Sequence, residues 1–133
     1  RLNTTLTFGA TEYVGRRYSE RSTNTGAGGR TSTNVILSTT RGELVIAPAS
    51  GKIDLAEDLG GDYGTTLVID HGAGVRTIFY GLSDIDIKAG QQVKQGQTLA
   101  TCGKTTVVEM RIGTVPIDPI AVWRGQCNGL KYY

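Results

Sequence analysis

Histidine is almost missing from this chain. Its 133 residues include one, His71, together with two cysteines, one methionine and one tryptophan. One imidazole, scattered carboxylates and no cysteine cluster cannot assemble the N/S-rich tetrahedral site that zinc prefers. A Ser-His-Asp triad is equally unsupported, because no nucleophile-elbow pattern occurs and His71 merely adjoins Asp70. No apolar run approaches the roughly 18 residues that a membrane-spanning helix needs, and no charged-then-apolar leader is present. The chain starts at Arg1 rather than Met, which we read as the mark of a processed or trimmed segment whose signal or anchor would lie upstream. Excess charge is also lacking: 14 basic against 12 acidic residues give a net charge of +2, too little to argue for nucleic acid or an anionic membrane surface. No run of about ten residues keeps the 3.6-residue period, so no helix is expected beyond one turn near Pro119.

What the chain has is glycine, 19 residues of it, about twice the usual share. That suits many tight turns. The length fits one domain with a modest core, and 38% hydrophobic with 20% charged residues is folded-protein composition. The organising stretch runs from Gly60 to Leu99. Thr65–His71 (TTLVIDH) and Val75–Leu82 (VRTIFYGL) are rich in β-branched and aromatic residues, with Gly72-Ala73-Gly74 between them, and read as an antiparallel hairpin. Short alternating pieces follow at Ile85/Ile87 and Val93, broken by Gly90 and Gly96. Strands are then expected at Thr98–Thr101 and Lys104–Gly113. Upstream, Glu43–Pro48 and Lys52–Asp58 read as strands, the latter with Ile53 and Leu55 inward. Asn34–Ser38 and Leu6–Ala10 are further strand candidates, Ser19–Asn34 reads as a long polar loop, and the final RGQCNGLKYY as an irregular tail. Arg16, Arg17, Arg21 and Arg30 in or near that loop are read as solvated, or as a partner-contacting arm.

The blocks DYGTTLVIDHG, TIFYGLS and IKAGQQVKQGQTLA, with APASGKI (Ala47–Ile53) upstream and VEMRIGTVPIDP (Val108–Pro119) downstream, resemble the LytM-type domains of the M23 peptidase family. The resemblance implies an all-β fold, a small antiparallel β-sandwich or barrel, over roughly the last two-thirds of the chain. We divide the chain into an N-terminal strand and long polar loop (1–40) and a β core with its C-terminal tail (41–133), as parts of one domain. The resemblance also implies an extracytoplasmic place, periplasmic, cell-wall or secreted. In an oxidising compartment Cys102 and Cys127 are expected to pair. Such a bridge would close a loop of about 25 residues and contribute about 3 kcal/mol in the chain-entropy model. Two buried or free thiols are the alternative.

In such domains two histidines and one aspartate hold zinc and two further histidines assist water activation and stabilise the oxyanion, and in sequence these come as H-x-x-x-D, the His of Y-x-H-L and both His of H-x-H. Matching those motifs places Ser32 and Ile36 at H-x-x-x-D, Gly81 at the His of Y-x-H-L, and Thr105 and Val107 at H-x-H. All five positions lack the family residue, so no metal, no cofactor and no catalytic residue is expected. His71 matches the I-D-H-G of the hairpin and reads as an ordinary loop histidine. By strand alternation, Thr105, Val107, Glu109 and Arg111 lie on the former ligand face, and Thr106, Val108, Met110 and Ile112 in the core. On the hairpin, Thr77, Phe79 and Gly81 are assigned to that same face. The resulting groove, Thr77, Phe79, Gly81, Val107, Glu109 and Arg111, would suit a peptide or partner element.

The expected function is therefore a degenerate LytM-like domain that binds an envelope protein partner or peptidoglycan. It would regulate cell-wall hydrolysis, as at cell division, or scaffold an envelope-spanning complex, with membrane attachment only through segments outside this chain. A secreted signalling or ligand-binding member of the same fold is the alternative. An active zinc endopeptidase would need ligands from elsewhere. A biotinyl or lipoyl carrier shares G-x-x-V-x-x-G-x-x-L, but Lys104 follows Leu99 too closely to be its carrier lysine.

Overall fold

The computed structural model describes residues 4–6, 22–25, 31–39, 41–117, 119 and 130–132. Among these described residues eleven strands follow one another: β1 Thr4–Leu6, β2 Ser22–Thr25, β3 Thr31–Ser38, β4 Leu44–Ile46, β5 Gly51–Asp58, β6 Thr65–Gly72, β7 Val75–Ile85, β8 Gln92–Val93, β9 Thr98–Ile112, β10 Val115–Ile117 and β11 Leu130–Tyr132. Nine form one sheet in the order β2-β3-β9-β7-β6-β5-β8, with β4 and β10 also on β9, while β1 and β11 pair separately. All pairings are antiparallel. The fold is the expected all-β one, a curled half-barrel sheet.

β9 is its spine. One edge of β9 meets β7 along most of its length; the other meets β4, β3 and β10 in turn. Two separate strands were expected in this region, Thr98–Thr101 and Lys104–Gly113, but the structure has one strand of 15 residues. Gly103 does not end it. It sits where β7 comes too close for a side chain, since a Cβ there would lie 2.6 Å from the Gly81 carbonyl oxygen. The β6–β7 hairpin forms as expected. Gly72 pairs with Val75, and the two connecting residues, Ala73 (φ 53°) and Gly74 (φ 79°), both have positive φ, as the type I′ turns that match strand twist require.

Two expectations need correction. The segment Ser19–Asn34 is not all loop: β2 lies within it, and β3 begins within it and pairs with β2. Ser, Thr and Asn read as loop, yet threonine's branched Cβ suits a pleated strand. The tail likewise holds β11, paired with β1 at Thr4↔Tyr132. The helical turn near Pro119 and the Cys127 end of the expected disulfide lie outside the described residues, Pro119 itself excepted.

The core lies on one face of the sheet. Phe79, Ile53, Leu67, Ile69, Leu99, Met110, Val45 and Val75 are its largest fully buried side chains. Cys102 is fully buried among them. The expected alternation on β9 is observed, with Thr106, Val108 and Met110 buried and Val107, Glu109 and Arg111 half-buried.

Candidate functional site

The site is the opposite face of the sheet, where β3, β9 and β7 meet. Directly opposed residues of neighbouring strands point to the same face, so the register shows what shares it. Ile36 of β3 opposes Val107 of β9, and Val107 opposes Tyr80 of β7. One row further, Glu109 opposes Ile78, and beyond that Arg111 opposes Arg76. The hairpin continues these rows, with Val68 beside Ile78 and Asp70 beside Arg76.

This corrects the expected groove. Thr77 opposes Met110 and Phe79 opposes Val108; both are fully buried in the core. They lie across the sheet from Val107, Glu109 and Arg111. Ile78 and Tyr80 take their place. The cause is phase: alternation fixes which residues of one strand share a face, but only register says which face of the neighbour that is. Tyr80 is the residue that the sequence reading missed. No periodic signal marks it, because Thr77, Ile78 and Phe79 are buried in succession.

Gly81 sits at a break in the ladder. Tyr80 pairs with Val107, but Leu82 pairs with Cys102, so Gly103, Lys104, Thr105 and Thr106 lie opposite Gly81 alone. Its φ is +76°, and a Cβ would overlap the carbonyl oxygen of Thr105. Its N–H donates to the Tyr63 carbonyl at 3.0 Å. Gly81 and Thr105 are thus adjacent, Thr105 opposes Ser38, and Ile36 and Val107 pair one step away. Four of the five motif positions converge. The fifth, Ser32, is on β3 beyond the register that pairs with β9.

Around this floor lies a small polar cluster. The Tyr80 ring packs against Tyr63, with centroids 5.3 Å apart and planes at 40°. The Tyr80 hydroxyl donates to Glu109, and its pKa is raised, first by burial and then by the Glu109 charge, with Arg111 opposing. Arg111 Nε lies 3.4 Å from Glu109 Oε2, and the Glu109 side chain is 13% exposed against 43% for Arg111. Arg76 is held by Asp54 at 3.4 Å and Asp70 at 3.6 Å. The cluster can present a phenol, a carboxylate and a guanidinium to a bound chain.

His71 is elsewhere. Far from being a loop residue, it is buried at the end of β6. Its Nδ1 lies 2.8 Å from the Ser50 carbonyl oxygen and its Nε2 2.7 Å from Thr77 Oγ1. A carbonyl only accepts, so Nδ1 carries the proton and Nε2 accepts from the threonine hydroxyl. Burial lowers its pKa, against the opposing pull of the Ser50 bond and the Asp70 charge. Thr77 belongs to the core face, so the imidazole is turned away from Val107.

Comparison with known proteins fits this geometry. The signature of "Peptidase family M23" matches residues 30–119. The chain belongs to peptidase family M23. An uncharacterized metalloprotease of Haemophilus influenzae is 32% identical over 95 residues, covering 66% of this chain and 20% of the relative. The cell division protein DipM of Caulobacter vibrioides is 33% identical over 95 residues, covering 62% and 16%. The chain thus spans a fifth or less of these curated relatives. Among solved structures, Helicobacter pylori Csd3 has a TM-score of 0.75 at 20% identity, covering 96% of this chain and 37% of that one. The SpoIIQ–SpoIIIAH pore-forming complex has a TM-score of 0.62 at 19% identity, covering 90% and 82%. At these identities the structures show the M23 fold alone.

The M23 motifs imply zinc at the convergence of β3, β9 and β7. Zinc takes imidazole, thiolate or carboxylate ligands. Ile36, Gly81 and Val107 offer no donor atom, and Thr105 offers a neutral hydroxyl. Among the described residues, no group of three His, Cys, Asp or Glu side chains is placed to hold a metal. The residues at these positions do not fit the ion.

Proposed function

We propose that this M23 domain is non-catalytic and works by binding a protein partner in the bacterial cell envelope, outside the cytoplasm, as a regulator of wall hydrolysis or a scaffold. The partner would lie on the sheet face of Tyr80, Val107, Glu109 and Arg111. One observation carries the reading. The chain's single imidazole is buried with both ring nitrogens engaged, on the face away from Val107. Family membership and the similarity to a cell division protein support the envelope setting.

The test has two arms. Purified protein given equimolar zinc is incubated with cross-linked peptidoglycan, and peptide release is measured. No release is expected; release that a chelator abolishes would sink the reading. In parallel, capture from an envelope extract is compared between wild type and Tyr80→Ala and Arg111→Ala. Reduced capture of the same partner is expected, and unchanged capture by both variants would remove the face from the proposal. An active metallopeptidase is the competing reading, favoured by the name of the Haemophilus relative, and the first arm decides between them.

A further inference from the structure

A second surface lies at the far side of the sheet. β5 pairs with β6 along its length, but β8 covers only Gly51 and Lys52 on its other edge, with Ile53 bonded on that side to Gln91 and Gly90. Among the described residues, no strand lies against that edge from Asp54 to Asp58. The Leu59 amide donates to Gly64 across the β5–β6 turn, so by alternation Glu57 faces β6, and the N–H and C=O of Ala56 and Asp58 point outward. An open edge of this kind is a template for another strand.

Its chemistry is one-sided. Asp54, Glu57 and Asp58 are exposed along it, as is Asp62 in the turn beyond. Asp54 meets Arg76; Glu57, Asp58 and Asp62 have no cation against them among the described residues. Among the described residues, two of the four large hydrophobic side chains that stand exposed, Leu59 at 46% and Tyr63 at 56%, occupy the same turn. Carboxylates on an edge keep a second, equally acidic copy from pairing there. The same charges attract a cationic strand, and the exposed leucine and tyrosine give it an apolar anchor.

We propose that the β5 edge docks an extended, basic segment of a partner protein, with Lys or Arg at alternate positions, as an added antiparallel strand. The segment would pair with the outward groups of Ala56 and Asp58 and, with its alternate cations all on one face, set them on the face of Glu57, while the Asp58 charge adds to the acidic field of the edge. This edge touches the face of Tyr80 and Val107 only through Tyr63, whose ring packs on Tyr80, and it needs nothing about zinc; the backbone pairing at Ala56 and Asp58 lies outside that face, so either proposal can fail alone.

The test uses the 133-residue chain, labelled with nitrogen-15, and a blocked heptapeptide of alternating Lys and Val. Its controls are the Glu/Val counterpart and a Lys/Val version N-methylated at alternate amides. Addition of the Lys/Val peptide is expected to slow hydrogen exchange at the Ala56 and Asp58 amides. Neither control should do so. Glu57→Lys with Asp58→Lys should weaken the peptide about tenfold or more, and these exposed positions leave the fold intact. Ala56→Pro, which removes an outward N–H, should abolish the effect. The proposal is overturned if millimolar peptide leaves both amides unprotected, if the N-methylated peptide protects them equally, or if shifts fall only around Tyr80 and Arg111.

Discussion

Replacing Gly81 by alanine should be among the most damaging single-methyl changes in this domain. Two costs arise together. The residue has φ +76°, and an L side chain in the left-handed region costs about 1–2 kcal/mol. The added Cβ would also overlap the Thr105 carbonyl oxygen. Backbone must move there, and overpacking of this kind costs about 1–3 kcal/mol. The sum is about 2–5 kcal/mol, a large part of the roughly 5–15 kcal/mol that holds a domain folded. Gly90 separates the two costs. Its φ is +91°, but a Cβ there meets nothing within 4 Å, so Gly90→Ala should lose only the conformational part, about 1–2 kcal/mol. Gly103→Ala supplies the opposite case, a Cβ 2.6 Å from the Gly81 oxygen with no left-handed φ. Because Gly81 and Gly103 face each other, their costs should fall short of additive in the double variant. Urea unfolding of the wild type and the four variants, with slopes checked for constancy, gives the comparison. If Gly81→Ala loses no more than Gly90→Ala, the close approach of β7 and β9 has been misread. The same geometry bears on function. Gly81→His carries the same backbone cost, so restoring the family's histidine there would need the strand break rebuilt, not just a side chain replaced.

Stability should depend on pH through His71. Burial lowers its folded pKa below the ordinary histidine value of 6.5, so between those two values the unfolded chain binds more protons. Stability is then level above about pH 6.5 and falls as the pH drops through that window; urea midpoints at stepped pH should show the slope, and His71→Gln should remove it. Thr77→Val leaves His71 Nε2 without its hydroxyl donor and should cost about 1–3 kcal/mol by the same assay. Phe79→Ala should cost about 3–5 kcal/mol as a core truncation, whereas Tyr80→Ala should change stability by under about 1 kcal/mol while reducing partner capture. Equal destabilisation by the two would mean that the faces of β7 have been assigned the wrong way round.

Much of the sheet was legible because turns and β-rich runs are written locally. The Gly72-Ala73-Gly74 turn, the β6 and β7 patterns and the polar breaks at Gly90 and Gly96 each announce themselves within a few residues. The strands that escaped were those with no local signature. β2 is Ser-Thr-Asn-Thr, a composition equally at home in a loop, and it is a strand because β3 lies alongside it. β11 depends on a partner at the other end of the chain. The single strand β9 was divided in the sequence reading between Thr101 and Lys104; in place, Gly103 lets two backbones approach.

The site shows the same limit more sharply. On β9, polar and apolar residues alternate, so Val108 and Met110 could be assigned to the core from sequence, and Val107 and Glu109 to the other face. β7 offers no such contrast, since Thr77, Ile78 and Phe79 are all buried. Its phase is carried by the pairing Phe79↔Val108, a contact between residues far apart in the chain. Motif matching could align Gly81 with a lost histidine, but a motif names positions along one strand and is silent on which neighbours face them. Once Tyr80 is counted across to Val107, the floor of the face becomes an aromatic ring beside a β-branched aliphatic residue, bordered by Glu109 and Arg111. Such a row, with an aliphatic side chain beside an aromatic one and one charge of each sign at its border, is what the proposed binding of an extended chain rests on.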